Sequence, residues 1–363
     1  MNVLVVTVVH DPQDARIRHR QIRALMDAGH HITFAAPFSA YERPRDDDLR
    51  TVDLPRAQGL NRLAAARAVR RLLKRRGREF DVVLLHDPEL VLTTAGLSVP
   101  GLVWDVHEDT AAALQMKAWL PRPARPAAVM LIRAIERMAE RRMPLILAEE
   151  SYAERFTRPH PIVRNSVVVP ERIPEPIGAR DDRVIYIGRL TRARGALEMI
   201  ELGRRLAPGV AVHLVGPADR DCADAVEDAH HAGIVHWHGF VPNDAALAML
   251  PSALAGLSLL HDQPNYAHSL PTKIVEYMAH GVPVITTPNP SSAEIVRRHH
   301  CGSTVPFGDV DAAAEAIRAL AADPAEQRRL ATAGRTAAIE YYSWRTDAGV
   351  FVETLEKIAI ASS

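Results

Sequence analysis

Residues Asn265–Ile285 read NYAHSLPTKIVEYMAHGVPVI, and the fold turns on how this stretch is read. It runs from a polar loop through a helix start, a short helix and a glycine stop into a buried strand. Ser269 and Thr272 carry short side-chain oxygens suited to capping free backbone N–H groups, and Pro271 stands where no N–H is needed. Ile274, Val275, Met278 and Ala279 form an apolar stripe near helical spacing. Gly281 ends the helix, and Val282 to Ile285 enters a strand. Such a junction turns unpaired N–H groups towards an anion, and the helix dipole adds to the attraction. Lys273 brings a full positive charge, and Glu276, one turn on, can accept two hydrogen bonds from a diol. Phosphate donors beside a diol acceptor are what a nucleotide sugar requires. An ordinary strand–helix junction with a solvated Glu276 fits the same pattern, so this stretch alone leaves both readings open.

The chain around it has 363 residues, 47% of them hydrophobic, which is enough for two cores. Aromatic residues make up only 5%, so those cores are aliphatic. Lys+Arg and Asp+Glu both number 44, so there is no overall pull towards nucleic acid. The charge is uneven along the chain: residues 1–170 hold 26 Lys/Arg against 20 Asp/Glu, a net +6, and residues 171–363 carry the balancing −6. A basic N-terminal half fits an anionic lipid surface or an acidic acceptor; chance imbalance is the rival account. Cys222 and Cys301 offer neither a disulfide framework nor metal spacing, and a reducing, cytoplasmic setting is expected. The opening MNVLVVTVVHDP is read as a first strand, not a signal peptide, and no apolar run approaches the length of a membrane span.

Taken in order, Asn2–Val9 is a near-continuous apolar strand, HDPQDA a loop, Arg16 to Ala28 a helix closed by Gly29, and Ile32–Ala36 a second strand. This βαβ start opens a Rossmann-like domain, although there is no G-x-G-x-x-G and hence no case for a dinucleotide. Leu60–Phe80 and Ala127–Arg142 are basic amphipathic helices. Either could lie on an anionic membrane, or be a solvated face packed through its leucines. Strands at Asp81–Leu85 and Leu102–Val106 end in His86-Asp87-Pro88-Glu89 and His107-Glu108-Asp109, where ligands of doubly wound sheets gather. Residues 170–182, PERIPEPIGARDD, have linker composition. Arg183–Ile187 restarts the βα alternation, with Gly188-Arg189-Leu190 leading into a helix to about Leu206 and a further turn at Gly216. The pairs His236/His238 and His299/His300 show no partner at ligand spacing and read as core or surface histidines.

These segments together resemble glycosyltransferase family 4, retaining enzymes of the GT-B fold. The resemblance rests on HDPQDARI, HDPEL, VWDVHED, YIGRLTRARGALEMI, LPTK…EYMA.G.PV and the late YSW, spread in order over nearly the whole chain. It implies an α/β fold with two Rossmann-like doubly wound domains facing a central cleft: 1–172 for the acceptor, 183–340 for the nucleotide sugar, and 341–363 a helix returning to the first. It implies donor contacts from Gly188, Gly216, Phe240, Val241, His268, Ser269, Leu270, Pro271, Thr272, Lys273 and Glu276, with Glu276 on the ribose hydroxyls. Arg189 and Arg194, matching the arginine and lysine of a GRL…KG loop, and His107 are the implied catalytic residues; Asp11, Arg16 and Glu108 are the candidates on the acceptor side. The first glutamate of the family's Glu-x7-Glu pattern falls at 268, where this chain has His268. No cofactor or metal is implied. The co-substrate is a UDP- or GDP-sugar, and the acceptor is a hydroxyl on a small molecule, lipid-linked sugar or saccharide. A metal reading of His86, Asp87, His107, Glu108 and Asp109 is set aside for want of ligand spacing. Other GT-B chemistry such as epimerisation, and a non-catalytic nucleotide-sugar binder, remain alternatives. A nucleic-acid binder lacks the interleaved aromatics it would need.

Overall fold

The computed structural model describes residues 1–363 apart from 46–47, 108, 112–120, 174–180, 264–265, 267–270 and 363. The chain forms two compact units, Met1–Asn165 with Trp344–Ser363, and Ser166–Ser343. Each holds one six-stranded sheet in which every pairing is parallel.

In the first unit the strands are β1 (Asn2–Val6), β2 (His31–Ala36), β3 (Arg50–Asp53), β4 (Val82–Leu85), β5 (Leu102–Val106) and β6 (Leu145–Leu147), in the spatial order β3-β2-β1-β4-β5-β6. Strands β1 and β4 are buried on both faces and read as unbroken apolar runs, as a parallel sheet covered by helices requires. The first helix begins as a π-helical segment, Ala15–Ile22, capped by Asp14, and continues as α1 (Arg23–Asp27). Helices α2 (Asn61–Arg76), α3 (Pro88–Thr93) and α4 (Arg125–Arg142) pack side by side through Ala65, Val69, Leu73, Leu90 and Ile135.

The second unit repeats the plan. Strands β7 (Asp181–Ile187), β8 (Ala211–Val215), β9 (His236–Trp237), β10 (Ala253–Ser258), β11 (Val284–Thr286) and β12 (Gly302–Thr304) take the order β12-β11-β10-β7-β8-β9. Its helices are α5 (Ala196–Leu206), α6 (Ala223–His231), α7 (Asn243–Ala248), α8 (Thr272–Ala279), α9 (Pro290–His299), α10 (Val310–Ala322) and α11 (Pro324–Tyr341). A final helix, α12 (Trp344–Ser362), buries Trp344, Phe351 and Leu355 among Val3, Phe34, Leu84 and Ile146 of the first unit's core.

Both sheets therefore have the order 3-2-1-4-5-6 when each is counted from its own first strand. The chain reverses direction across the sheet beside β1 and β4 in one unit, and beside β7 and β10 in the other. Ligands of open parallel sheets settle outside the carboxyl ends of the strands at these switch points. In this chain those positions are the loops after β1, β4 and β5, and those after β7, β8 and β10.

Candidate functional site

In the second unit, three glycine turns are stacked at the carboxyl ends of β7, β8 and β9. Gly188 donates its N–H to the Val215 carbonyl at 2.9 Å, and Gly216 donates to the Gly239 carbonyl at 2.8 Å. Gly188 (φ 136°) and Gly216 (φ 137°) lie in backbone territory that disfavours side chains. A Cβ on Gly216 would stand 2.1 Å from the Gly188 carbonyl oxygen. This close approach brings the β7 and β8 turns together without side chains between them. The Trp237 indole fastens the third turn by donating to the Gly216 carbonyl at 2.9 Å.

Helix α8 is locked onto the same edge by Tyr277. Its hydroxyl accepts the Ile187 N–H at 3.1 Å and donates to the Leu257 carbonyl at 3.0 Å, bridging the ends of β7 and β10. Its ring lies against Gly256, where any Cβ would collide with it. The helix start is thereby held over the switch point, as the sequence pattern anticipates. Pro271 and Thr272 open the helix, and Lys273 and Glu276 lie one turn apart. His268, Ser269 and Leu270 lie outside the described residues.

The Lys273 side chain runs inward. Its Nζ is shut off from solvent and has no hydrogen-bond partner among the described residues. It stands 4.0 Å above the ring of Tyr186. Burial, and then the neighbouring Arg194, push its pKa well below the ordinary lysine value, while Glu276 pulls it back up. Arg194 also bonds Tyr186. Burial lowers its pKa, but Tyr186 and Tyr266 more than offset that and hold it raised. Burial pushes the Tyr186 phenol up to about 12 against the pull of Arg194, and its hydroxyl donates to the Arg189 carbonyl at 2.8 Å. Two basic side chains thus lean on one neutral phenol beneath the Gly188 turn. A Cβ on Gly188 would lie 3.6 Å from Lys273 Nζ. An anion brought there would have both basic side chains within reach. Arg189 lies outside this arrangement: the side chain is exposed and ion-paired with Asp219. Phe240 is exposed and Val241 packs on the core beside α7.

In the first unit, the loops after β1, β4 and β5 bring together His10, His86 and His107. The His107 ring stands 4.8 Å from that of His10 and 5.4 Å from that of His86, centroid to centroid. Its Nδ1 lies 3.2 Å from the Asp105 carbonyl and its Nε2 lies 3.2 Å from His10 Nε2. Since a carbonyl only accepts, Nδ1 carries the proton and the Nε2 lone pair faces His10. Burial, and then His10, lower the His107 pKa to about 3, so the ring is neutral at working pH. His10 also lies 3.4 Å from Asp87, whose carboxylate accepts from the Thr7 hydroxyl and the Val8 N–H.

Beneath this cluster the Asp105 carboxylate is fully buried. It takes Arg16 with two prongs, Nε at 2.8 Å and Nη2 at 2.7 Å, and Gln21 Nε2 at 3.0 Å. Burial alone would raise its pKa, yet Arg16 holds it well below the carboxylate range. His86, Asp105 and His107 bring possible ligand atoms within 4.8 Å of one another. Arg16 and Gln21 already engage both carboxylate oxygens of that set. Arg16, read from the sequence as an acceptor-side candidate, also donates to the Val163 and Arg164 carbonyls and is buried. Its guanidinium supports the floor of the cluster. Asp11 is half-buried and paired with Arg43 at 3.0 Å. Glu108 lies outside the described residues. Sequence reading missed Asp105, His10, Tyr186 and Tyr277. For Asp105 the signal was present: a lone carboxylate inside the apolar run Val103-Trp104-Asp105-Val106 must have a partner.

Comparison with known proteins agrees with this geometry. Residues 170–337 match the model for glycosyl transferases group 1, and residues 15–170 match that of a glycosyl transferase 4-like domain. WcaL of Escherichia coli K12, assigned to colanic acid biosynthesis as a glycosyltransferase, is 29% identical over 143 residues, 38% of this chain and 35% of that one. The chain spans 29% to 48% of the length of the curated relatives it matches. Sucrose-phosphate synthase from Thermosynechococcus elongatus superposes with a TM-score of 0.75 at 18% identity, covering 99% of each chain. Anabaena HepE in complex with UDP-glucose superposes at 0.71 and 16%, covering 98% of this chain and 100% of that one. At these identities the structural likeness carries the fold, which is GT-B. The two matched models run end to end over residues 15–337, and the chain belongs to the glycosyltransferases that join a family 4-like N-terminal domain to a group 1 C-terminal domain.

Proposed function

We propose that this chain transfers a glycosyl group from a nucleoside-diphospho-sugar to a hydroxyl acceptor, with retention of anomeric configuration and without a metal. The observation that carries the reading is Lys273, a buried amino group with no hydrogen-bond partner among the described residues, beside Arg194 at the start of α8. An anion entering beside them would offset the burial and the Arg194 repulsion that depress the Lys273 pKa, and both basic side chains would then hold it. The donor diphosphate takes that place, and Glu276 accepts the ribose hydroxyls. The bond between anomeric carbon and phosphate oxygen breaks, and its electron pair leaves with the diphosphate, whose growing charge Lys273, Arg194 and the helix start stabilise. The acceptor hydroxyl attacks on the same face, and its proton passes to the departing phosphate oxygen. His107, neutral and with its Nδ1–H directed to the Asp105 carbonyl, is not a proton donor in this reading. UDP is the first base to try, because HepE, on the same fold, holds UDP-glucose.

The acceptor is a saccharide, lipid-linked sugar or small hydroxyl metabolite. Contact with the inner face of a membrane fits the exposed Leu60, Leu63, Met130 and Leu131, set among the arginines of α2 and α4. Among the described residues no helix is long and apolar enough to cross a membrane. Sedimentation with anionic and neutral vesicles tests the contact: binding only to anionic vesicles, lost in Leu60→Ser/Leu63→Ser, is expected, and equal pelleting without vesicles rejects it.

The experiment that tests the main reading is a thermal-shift panel of UDP, GDP, ADP, TDP and their sugar conjugates, followed by transfer assays in chelator. One nucleotide should raise the midpoint, and Glu276→Ala should abolish the shift. The product's anomeric proton coupling should match the donor's. An inverted product, or turnover that stops in chelator, overturns the mechanism.

A further inference from the structure

His213, His236 and His238 are separated in the sequence but meet on one face of the second unit's sheet edge. Strand β8 supplies His213, and the outermost strand β9 supplies His236 with His238 directly after it. His213 and His236 are opposite partners in the parallel register. His236 and His238 are two residues apart, so their side chains leave the same side of the chain. The His213 ring centroid lies 4.8 Å from that of His236 and 5.2 Å from that of His238. All three are half-buried or exposed. The anion seat of the same unit uses none of them.

We propose that these three imidazoles form a binding site for a borderline divalent cation of the zinc or nickel class. The decisive distance is 3.2 Å between His213 Nδ1 and His238 Nε2. Two nitrogens bound to one tetrahedral zinc at 2.0–2.1 Å stand about 3.3 Å apart, so this pair already has the spacing of two ligands on one ion. One proton now shared between them moves to the outer nitrogen of its ring when the cation enters, so no proton need leave. His236 is exposed and reaches the ion by rotation about its own side-chain bonds. His236 and His238, two residues apart, keep their rings within 4.8–5.2 Å of that of His213 on the neighbouring strand. Imidazole ligands select zinc, nickel or copper over magnesium and calcium. The Asp181 carboxylate, exposed at the start of β7 and close enough to interact electrostatically with His213, lowers the local positive charge. Arg183 opposes binding, but its guanidinium is turned to Asp181 and the Met249 and Pro251 carbonyls.

The site lies just before two of the glycine turns. His213 precedes Gly216 by three residues, and His238 is followed by Gly239, whose carbonyl accepts the Gly216 N–H. A cation joining β8 to β9 braces that turn pair.

The test is calorimetric titration of untagged, chelator-stripped protein with zinc chloride, and separately with magnesium chloride. One equivalent of zinc should bind, magnesium should not compete, and the melting temperature should rise with zinc. His236→Ala removes an exposed ligand with little risk to folding, and should weaken zinc binding by about tenfold or more. His213→Asn should do the same if it folds. Zinc binding of unchanged affinity in His236→Ala overturns the proposal, since it places the ion elsewhere, for example near His10 and His107. So does the absence of saturable binding in the unaltered protein.

Discussion

The Arg16 guanidinium and the Asp105 carboxylate form a two-pronged ion pair from which water is excluded, with Nη2–Oδ1 at 2.7 Å and Nε–Oδ2 at 2.8 Å. It joins the first helix to β5 and forms the floor under His86 and His107. Replacing Asp105 by Asn strands the Arg16 charge in the core. A loss of about 3–5 kcal/mol is expected, read as a fall in the urea midpoint. A loss under 1 kcal/mol would mean that the carbonyls of Val163 and Arg164 suffice for Arg16.

Lys273 should behave in the opposite way. Without ligand its amino group is buried and lacks a hydrogen bond among the described residues, so Lys273→Met should raise stability by about 1–3 kcal/mol. The same change should abolish the nucleotide-induced thermal shift. A variant that is less stable and still binds nucleotide would remove the anion seat from the account.

Acid should loosen the fold through His107. Its folded pKa, about 3, lies below the ordinary 6.5, so between these values the unfolded chain binds the proton and the folded chain does not. The stability is therefore complete above pH 6.5 and declines as pH falls towards 3. Urea midpoints at pH 7, 6 and 5 should drop in sequence, with a shallower slope in His107→Asn. Identical slopes would assign the acid sensitivity to other groups.

Gly216 tests the stacked turns. An alanine there would need both a φ near 137° and a Cβ 2.1 Å from the Gly188 oxygen. Gly216→Ala should cost about 1–3 kcal/mol and weaken nucleotide binding, measured by melting with and without UDP. Gly233→Ala has open space around it and shares only the positive φ, so it separates strain from collision.

Much of this was legible in the sequence. The α8 motif gave itself away through a helix start, an apolar stripe and a glycine stop, and Gly188 and Gly216 marked the ends of apolar strands. Strand β3 left no such trace: Arg50–Asp53 is a half-exposed edge strand with no apolar run to betray it. The pairing of Arg189 with Asp219, thirty residues on, also escaped pattern reading. The histidine pair at 236 and 238 seemed to lack partners, since His213 reaches it only through sheet register. Long-range pairing, not local propensity, decided each of these.

The placement of α12 bears on how the protein is made. Its Trp344, Phe351 and Leu355 complete the core around Val3, Phe34 and Leu84, yet the whole second unit is translated before them. The first unit to emerge from the ribosome is thus the last able to close, and its apolar face waits uncovered while the later unit matures.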